Sequence, residues 1–319
     1  MNNQTFWHGK PYYSLNAYCK NTYGEKLSKI ALNAGFTCPN RDGTLDRRGC
    51  IFCSGAGSGD FSMSLTSNQS MAHIIHSYLE QMTCQHPGNR YIGYFQAYTN
   101  TYASVDELMQ KYTAVLDFPK IAGISIATRP DCLPPEVLQL FQDLKQRYPD
   151  KFIWVELGLQ TIHEKTAAYI RRGYPLSCFE DAVRRLRSED IEVIVHTILG
   201  LPGESTQDIL NTMEYLNHQD IQGIKLQLLH VLRGTDLASD YEKGLFCTYE
   251  RDEYISLVIS CLEHLRPDMV IHRITGDGPK DLLIAPLWAS RKREVLNLLH
   301  HQMKESHNYQ GRQTNWQIN

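Results

Sequence analysis

The chain has 319 residues, a formal net charge of −3, and 42% hydrophobic and 21% charged residues, a composition typical of globular proteins. Its apolar runs are shorter than the roughly 20 residues that a membrane-spanning helix needs, and its polar N-terminus lacks the apolar segment of a signal peptide. We therefore expect a cytoplasmic protein without membrane association. The charge excludes a surface coated in basic residues, although a local basic patch could still contact nucleic acid.

Strand and helix patterns alternate along the chain. Nearly continuous apolar runs predict strands that are covered on both faces at Leu27–Phe36, Tyr91–Ala97, Ile121–Ala127, Phe152–Leu159, Ile191–Leu199, Ile221–Leu229 and Met269–Ile274. Apolar residues at helical spacing lie between them, as at Val137, Phe141 and Leu144. This alternation predicts an α/β fold with a parallel sheet and helical crossovers. Periodicity alone does not distinguish a doubly wound sheet from a full or partial barrel.

One core with two short additions is the organisation that we expect. Residues 1–25 read as an N-terminal lead-in, and residues 26–285 as the core. Residues 286–319 read as a C-terminal helix and polar tail that lie outside that core.

Three of the nine cysteines lie in one loop after the first predicted strand. The segment 36–61 is rich in Gly, Asn and Asp, and it contains Cys38, Cys50 and Cys53. In a parallel sheet this loop leaves the carboxyl edge, where such folds place their chemistry. Two cysteines separated by two residues can hold one metal ion or cluster from a tight turn. In a reducing cytosol such thiols predict a metal site rather than disulfides.

The cysteine loop is compatible with two kinds of metal site and with buried free thiols. Three thiolates on a [4Fe–4S] cluster leave one iron open to another ligand. A structural zinc site with three cysteines needs a histidine as its fourth ligand. No histidine lies between Cys38 and Cys53 or in the next dozen residues, although His73 and His76 follow on a predicted helix. The spacing therefore favours iron–sulfur only modestly over zinc.

Polar groups stand at or near the ends of four consecutive predicted strands. They occur in the segments 96–102, 128–131, 156–161 and 196–204. Glu156 interrupts an apolar strand, where an unpaired carboxylate is costly, so we expect it to bind an amine or hydroxyl group or to pair with Arg129. The turn Gly200–Gly203 would let backbone approach a ligand closely. Four such strand ends favour one shared pocket.

Several motifs resemble a known family. The cysteine loop, with Phe52 before its last cysteine, resembles the cluster loop of radical S-adenosylmethionine (SAM) enzymes. The strings TRPD at 128–131, VELGLQ at 155–160 and HTILGLPGE at 196–204 are similar to the Elongator-catalytic-subunit branch, although Tyr174 stands where that branch has His. A small subfamily of short members, of the YtqA/YhcC (MnmL) type, resembles the chain at GFTCPNRDG (35–43), IKLQLLHVLRGTDL (224–237), HRITGDGP (272–279) and LLIAPLW (282–288).

The resemblance implies a partial (β/α)6 TIM-like barrel with a C-terminal helical extension. It implies a [4Fe–4S] cluster on Cys38, Cys50 and Cys53, with SAM as the second cofactor and a reductant such as flavodoxin or ferredoxin. The SAM-binding roles that it implies fall on Phe52 beside the adenine, Thr99 and Asn100 at the methionine amine, Arg129 and Glu156 at the ribose or carboxylate, and His196, Ile198 and Gly200 around the adenine and ribose.

The resemblance further implies action on the wobble uridine of tRNA, with its carboxymethylaminomethyl group processed to an aminomethyl group. Phosphate contacts could come from Arg171, Arg172, Arg184, Arg185 and Arg187, or from Arg291, Lys292, Arg293, Lys304 and Arg312, although charge runs are commonly solvated helix faces. Base stacking could come from Tyr94, Tyr98 and Tyr102. A radical SAM enzyme acting on a small molecule or peptide, and a non-enzymatic RNA-binding protein with structural zinc, remain alternatives.

Overall fold

Strands form in all seven segments where apolar runs predict them. The computed structural model describes residues 7–64, 72–73, 77–78, 80, 90–276 and 278–316. The main sheet of this part of the chain is parallel and contains β1 (Ser28–Asn33), β2 (Met63–Ser64), β3 (Tyr91–Phe95), β4 (Ile121–Thr128), β5 (Phe152–Gln160), β6 (Glu192–Leu199), β7 (Gly223–Leu228) and β9 (Val270–Arg273). Two short strands, β8 (Val231–Leu232) and β10 (Leu283–Ala285), pair antiparallel beside it.

The order of the strands settles the choice that periodicity leaves open. The main sheet runs β2-β1-β3-β4-β5-β6-β7-β9, so from β4 onward each strand lies beside the preceding strand of this sheet. A doubly wound sheet would instead reverse direction at a switch point. Side chains from β1 through β9 also line one common cavity, which requires the sheet to curl. The protein is therefore a partial barrel, as the resemblance implies.

Helices follow the strands and cover the outer face of the sheet. In chain order they are α1 (Leu15–Tyr23), α2 (Pro39–Asp42), α3 (Val105–Leu116), α4 (Pro135–Arg147), α5 (Glu164–Tyr169), α6 (Leu176–Ser188), α7 (Thr206–Asn217), α8 (Asp236–Glu242), α9 (Arg251–His264) and α10 (Lys292–Glu305). Side-chain caps fix several starts, as where Ser205 and Asp208 form a capping box on α7. None of these helices has both the length and the apolar character needed to cross a bilayer.

The inward side chains of the sheet are stacked in layers. The lowest layer is apolar and is sealed from below by α1, through Leu15, Tyr18, Cys19 and Tyr23. The strand residues of this lowest layer are Leu27, Ile92, Ala122, Trp154 and Ile194. Because alternate residues of a strand share one face, the next inward positions are two residues further on. On β1, β3, β5 and β6 these positions hold Lys29, Tyr94, Glu156 and His196. A polar layer therefore lies directly above an apolar floor.

The described segments near both termini pack against the barrel. Trp7 is fully buried in a cluster with Val270 of β9, and α1 closes the floor. The predicted position of the C-terminal helix outside the core differs from the structure, because α10 buries Val295, Leu299 and Met303 in the main apolar cluster. A fully buried side chain of this size stabilises the fold by about 1.5–3 kcal/mol. The two ends therefore contribute to the stability of the fold.

Candidate active site inside the curled sheet

A cavity of about 880 Å³ lies inside the curled sheet and opens at its carboxyl edge. This volume is toward the upper end of the range for ligand-binding pockets. The structure brings nine of the eleven predicted site residues to its wall, namely Cys38, Cys50, Phe52, Cys53, Thr99, Arg129, Glu156, His196 and Ile198. Asn100 and Gly200 lie off that wall. The shared pocket expected from four strand ends is therefore present.

The cysteine loop is held in shape by local hydrogen bonds. Cys38 begins α2 in an extended conformation, and Pro39 follows it at the first helical position. The backbone N–H of Cys53 donates to the carbonyl of Cys50 at 3.0 Å, which closes a tight turn between these two cysteines. The Arg41 guanidinium donates to the carbonyls of Cys53 at 2.9 Å and Ser54 at 2.6 Å. The loop is therefore held in shape by hydrogen bonds to its own backbone carbonyls.

Cys50 and Cys53 are half-buried, and desolvation favours the protonated form of both thiols in the absence of a cation. Burial raises the pKa of Cys50 to about 12 and also raises the pKa of Cys53, although Arg41 opposes the shift at Cys53. The side-chain amide of Asn40 donates to the Cys50 sulfur at 3.4 Å. Coordination to a metal removes the thiol proton, so such buried sulfurs suit a bound cationic centre.

The described residues do not favour a site for a single zinc ion. In this part of the chain no three His, Cys, Asp or Glu side chains converge closely enough to hold one ion. His73 is solvent-exposed, and His76 lies outside the described residues. Cys38, Cys50 and Cys53 instead share the wall of a large cavity, and three sulfur donors of this kind match a larger iron–sulfur group.

Arg129 is held on one wall by partners other than Glu156. Its guanidinium donates to both carboxylate oxygens of Asp131, at 2.9 and 2.7 Å, and to the carbonyl of Arg172 at 3.0 Å. It also lies 4.9 Å from the centre of the Tyr174 ring. The expected ion pair between Arg129 and Glu156 is therefore wrong. Asp131 is only two residues away in sequence, and it forms an ion pair with Arg129 beyond the end of β4.

Asn100 and Gly200 contact other parts of the protein rather than the cavity. The side-chain amide of Asn100 donates to the carbonyls of Phe95 at 3.2 Å and Ala127 at 2.8 Å, so it ties two strand ends together behind the wall. Gly200 adopts a φ of +91°, and a side chain there would come within 3.1 Å of the Tyr249 ring. Gly200 therefore shapes the turn after β6.

Glu156 is the centre of a buried polar constellation. Its Oε1 accepts from Lys29 at 2.7 Å and from the hydroxyl of Ser125 at 2.6 Å. Its Oε2 accepts from Nε2 of His196 at 2.6 Å and from Lys225. Burial opposes ionisation, yet the Lys225 and Lys29 charges and the His196 hydrogen bond hold the pKa of Glu156 well below its usual range. Glu156 is therefore an ionised anchor inside the barrel.

The histidines of this layer are neutral. Burial, reinforced by the charge of Lys225, lowers the pKa of His196 to about 4. Burial likewise lowers the pKa of His272 well below its usual range, with a further contribution from Lys29. The formal charges closest to Glu156 are therefore those of the two lysines.

Sequence reasoning missed Lys29 and Lys225, and it placed Gln160 among the polar strand ends without giving it a role. Lys225 lies within the predicted strand Ile221–Leu229, so the argument that singled out Glu156 as a charge in an apolar strand applies equally to it. Gln160 ends β5 with a φ of +67°, lines the cavity, and has a buried Oε1 without a hydrogen-bond partner among the described residues. Such an acceptor fits a ligand that carries amine or hydroxyl groups.

Comparisons with known proteins agree with this architecture. Residues 44–216 match the model of the radical SAM superfamily, and residues 221–305 match the radical SAM C-terminal domain. The chain is 43% identical over 303 residues to the uncharacterized protein YtqA of Bacillus subtilis (strain 168), covering 95% of this chain and 92% of YtqA. It is 36% identical over 270 residues to protein YhcC of Escherichia coli (strain K12), covering 85% of each.

A solved structure shows the same fold. Archaeal Methanocaldococcus infernus Elp3 with residues 1–46 deleted superposes with a TM-score of 0.63 at 16% identity, covering 89% of this chain and 64% of that chain. The curled sheet and its cysteine-lined cavity define an enzyme of the half-barrel class that works with an iron–sulfur cluster. The chain belongs to the radical SAM superfamily, in the group of short proteins that includes YtqA and YhcC.

The cofactors of this superfamily are a [4Fe–4S] cluster and SAM, and the residues present fit both. Three thiols on the cavity wall supply the sulfur donors for a cluster. Phe52 packs against an apolar cluster that contains Ile198, which forms a flat apolar wall suited to an adenine ring. Gln160 offers an acceptor on the same cavity. The chain therefore carries donor groups and apolar surface for both cofactors.

Proposed function

We propose that this enzyme modifies the wobble uridine of tRNA in the cytoplasm, converting a carboxymethylaminomethyl group on carbon 5 to an aminomethyl group. Radical SAM chemistry is a property of the family, whereas this substrate is our inference. The physiological reductant would be a flavodoxin or ferredoxin. The observation that carries the proposal is the surface around the cavity mouth, which combines exposed cations with an exposed aromatic ring.

The side chains at the mouth of the cavity support a large polyanionic substrate. Phe61 lines the cavity and is 57% exposed, so its ring is free to stack on a base. Lys280 and Ser290 line both the cavity and an adjoining surface depression that also contains Arg291 and the exposed Leu287. Cations beside apolar surface suit the phosphates and bases of an RNA loop.

The first basic cluster predicted from sequence has structural roles. Arg172 is buried and donates to the carbonyls of Leu159, Thr161 and Tyr174. The other four arginines are paired with acidic side chains: Arg171 with Asp236, Arg184 and Arg185 with Asp181, and Arg187 with Asp220. Arg291 pairs with Glu294 at 3.7 Å but, like Arg184, is largely exposed, and it lies beside the mouth, so the second cluster remains a candidate.

The predicted stacking tyrosines also differ in their positions. Tyr94 lies deep in the polar layer, and Tyr98 lines the cavity while its hydroxyl donates to the carbonyl of Gly55 at 2.7 Å. Tyr102 forms a hydrogen bond with Thr44 on the exposed loop. Phe61 and Tyr98 are therefore better placed than Tyr94 to meet a base at the mouth.

The proposed reaction is balanced with SAM as a net two-electron oxidant. When bound and reduced by one electron, the cofactors supply a 5′-deoxyadenosyl radical that removes a hydrogen atom from the glycine-like methylene of the substrate. Loss of one electron and one proton from the substrate then gives a C=N bond. Water hydrolyses this bond to the aminomethyl group and glyoxylate, so the electron supplied and the electron removed cancel.

The test uses protein purified and reconstituted without oxygen, with dithionite, SAM and tRNA bearing the carboxymethylaminomethyl group. We expect 5′-deoxyadenosine, aminomethyluridine and trapped glyoxylate by mass spectrometry, and none of these from Cys53→Ala. Formation of 5′-deoxyadenosine with unchanged tRNA and no tRNA stimulation would refute the substrate and favour the small-molecule or peptide alternative. Zinc instead of iron in protein isolated from cells would favour a structural site.

A further inference from the structure

Lys29 and Lys225 place an excess of positive charge inside the barrel. Both ammonium groups face the ring of Tyr94, at 4.6 and 4.2 Å from its centre, and both donate to Glu156. One carboxylate therefore faces two lysine amines in a layer whose histidines are neutral. Burial lowers the pKa of Lys225 well below its usual range and Glu156 opposes this shift, so a second carboxylate would further stabilise the ammonium form of Lys225. Among the described residues, seven Lys or Arg side chains but three Asp or Glu side chains line the cavity, although the chain as a whole is acidic.

Among the described residues, the carboxylate of Glu156 has a full set of hydrogen-bond partners, whereas the two lysine ammonium groups do not. A carboxylate accepts about four hydrogen bonds, and Glu156 already accepts four, from Lys29, Ser125, His196 and Lys225. An ammonium group donates about three. Within the described part of the chain, Lys29 donates to Glu156 alone, and Lys225 donates to Glu156 and to the hydroxyl of Tyr94 at 2.9 Å. The lysine ammonium groups therefore have hydrogen-bond donors to spare, and both lysines line the cavity.

The depth of the lysines separates them from the cluster cysteines. Cys38 follows the end of β1, whereas Lys29 lies four residues before that end, which is roughly 13 Å deeper along a strand. If SAM binds the open iron through its carboxylate, as the family resemblance implies, that carboxylate would stay beside Cys38, Cys50 and Cys53 at the upper edge. A substrate that rests its RNA backbone at the mouth would reach this depth only with the tip of its base substituent.

We propose that Lys29 and Lys225 form a subsite for the carboxylate of the substrate, held in position by Glu156 and Tyr94. The inference rests on the proposed function in placing the carboxymethylaminomethyl group in this cavity. Its carboxylate is the tip of that group, so binding it to the lysines presents the adjacent methylene for hydrogen abstraction. Lys29 and Lys225 are then residues that recognise the substrate, and Glu156 is a positioning residue.

The test compares two synthetic anticodon stem-loop RNAs that differ only in the wobble substituent. One carries carboxymethylaminomethyl and the other methylaminomethyl, which lacks the carboxylate. With cluster-loaded wild type we expect the carboxylate RNA to bind roughly tenfold or more tightly. Lys29→Met and Lys225→Met each leave a neutral lysine–glutamate pair, so we expect both variants to bind the two RNAs equally. Equal binding by the wild type would overturn the subsite.

Two further variants separate recognition from folding. The variant Glu156→Gln/Lys225→Met keeps one excess charge, on Lys29, and we expect it to regain part of the preference. Lys280→Met, at the cavity mouth, should weaken both RNAs by the same factor and keep their ratio. SAM affinity should change less than about twofold in Lys29→Met. If it fell as far as the RNA preference, the subsite would belong to SAM and our assignment would be wrong.

A thermal unfolding measurement with a small carboxylate tests the subsite even if neither RNA binds and the proposed function fails. We expect acetate, but not acetamide at matched ionic strength, to raise the thermal unfolding midpoint of the wild type and of Lys280→Met. Lys29→Met should lose this difference. If acetate stabilises Lys29→Met as much as the wild type, the carboxylate subsite is refuted independently of tRNA.

Discussion

Glu156 and Lys225 are 69 residues apart in sequence, yet their side chains form an ion pair inside the barrel. They lie on β5 and β7, and β6 between them contributes His196 to the same carboxylate. Charged groups at this depth are stable only while each keeps its partners, because their desolvation is not otherwise compensated. The polar layer is therefore a place where a single substitution has a large effect.

Glu156→Gln should destabilise the protein by about 3–5 kcal/mol, because it leaves the buried Lys225 and the half-buried Lys29 without a counter-charge. Adding Lys225→Met to the same chain should recover a large part of that loss. Denaturant unfolding monitored by circular dichroism measures both changes. Asp181→Asn, which breaks exposed pairs on α6, should cost about 0.2–1 kcal/mol and serves as the control. Equal effects of Glu156→Gln and Asp181→Asn would contradict a buried anchor.

Acid should destabilise the native protein through His196. Its pKa is about 4 in the folded state and about 6.5 in the unfolded chain, so only the unfolded chain gains a proton between these values. The His196 contribution is therefore fully present above pH 6.5 and is lost as the pH falls toward 4. We expect His196→Gln to lose less stability than the wild type between pH 7.5 and pH 5, measured by denaturant unfolding. Parallel losses would show that His196 is not buried in its neutral form.

The three loop cysteines should be individually essential for the cluster. Cys38→Ala, Cys50→Ala and Cys53→Ala should each abolish iron retention and 5′-deoxyadenosine formation, because three protein thiolates are the minimum set for the site. Iron and sulfide content per chain are measured after anaerobic reconstitution. Cys247→Ala, at an exposed cysteine outside the cavity, should retain the wild-type iron content. If Cys247→Ala were the only variant to lose iron, the cluster would not be bound by the three loop cysteines.

Two neighbouring glycines offer a matched test of the cysteine loop. A side chain at Gly57 would lie 2.3 Å from the Tyr98 ring, and Gly57 has a φ of +59°. Gly57→Ala should therefore strain the loop by about 1–3 kcal/mol and lower iron retention. Gly55, two residues earlier, has open space around it, so Gly55→Ala should behave like the wild type. Indistinguishable iron contents of the two variants would show that the loop tolerates displacement.

The fold was more predictable than the contacts within the site. Apolar runs located the seven longer strands of the main sheet, because strands covered on both faces leave a nearly continuous signal, but not the two-residue strands β2 and β8. The expected pair between Arg129 and Glu156 failed because Arg129 lies beyond the end of β4, where Asp131 is the nearer partner.

Other features depend on information that a linear pattern does not contain. Asn100 follows the end of β3, where strand alternation no longer indicates which way a side chain faces, and it lies behind the wall. Gln160 reaches the cavity through a positive φ that glutamine rarely adopts. Lys225 was detectable, since a charge in an apolar strand is the same signal that identified Glu156.

The α1 seal beneath Trp154 also constrains the order of events during catalysis. Among the described residues this helix closes the amino end of the barrel, so we expect ligands to enter and leave by the mouth. A large RNA seated at the mouth would cover the route by which methionine and 5′-deoxyadenosine leave. SAM must then enter before the RNA, and the RNA must depart before the spent nucleoside, so each tRNA would undergo one round of chemistry per encounter.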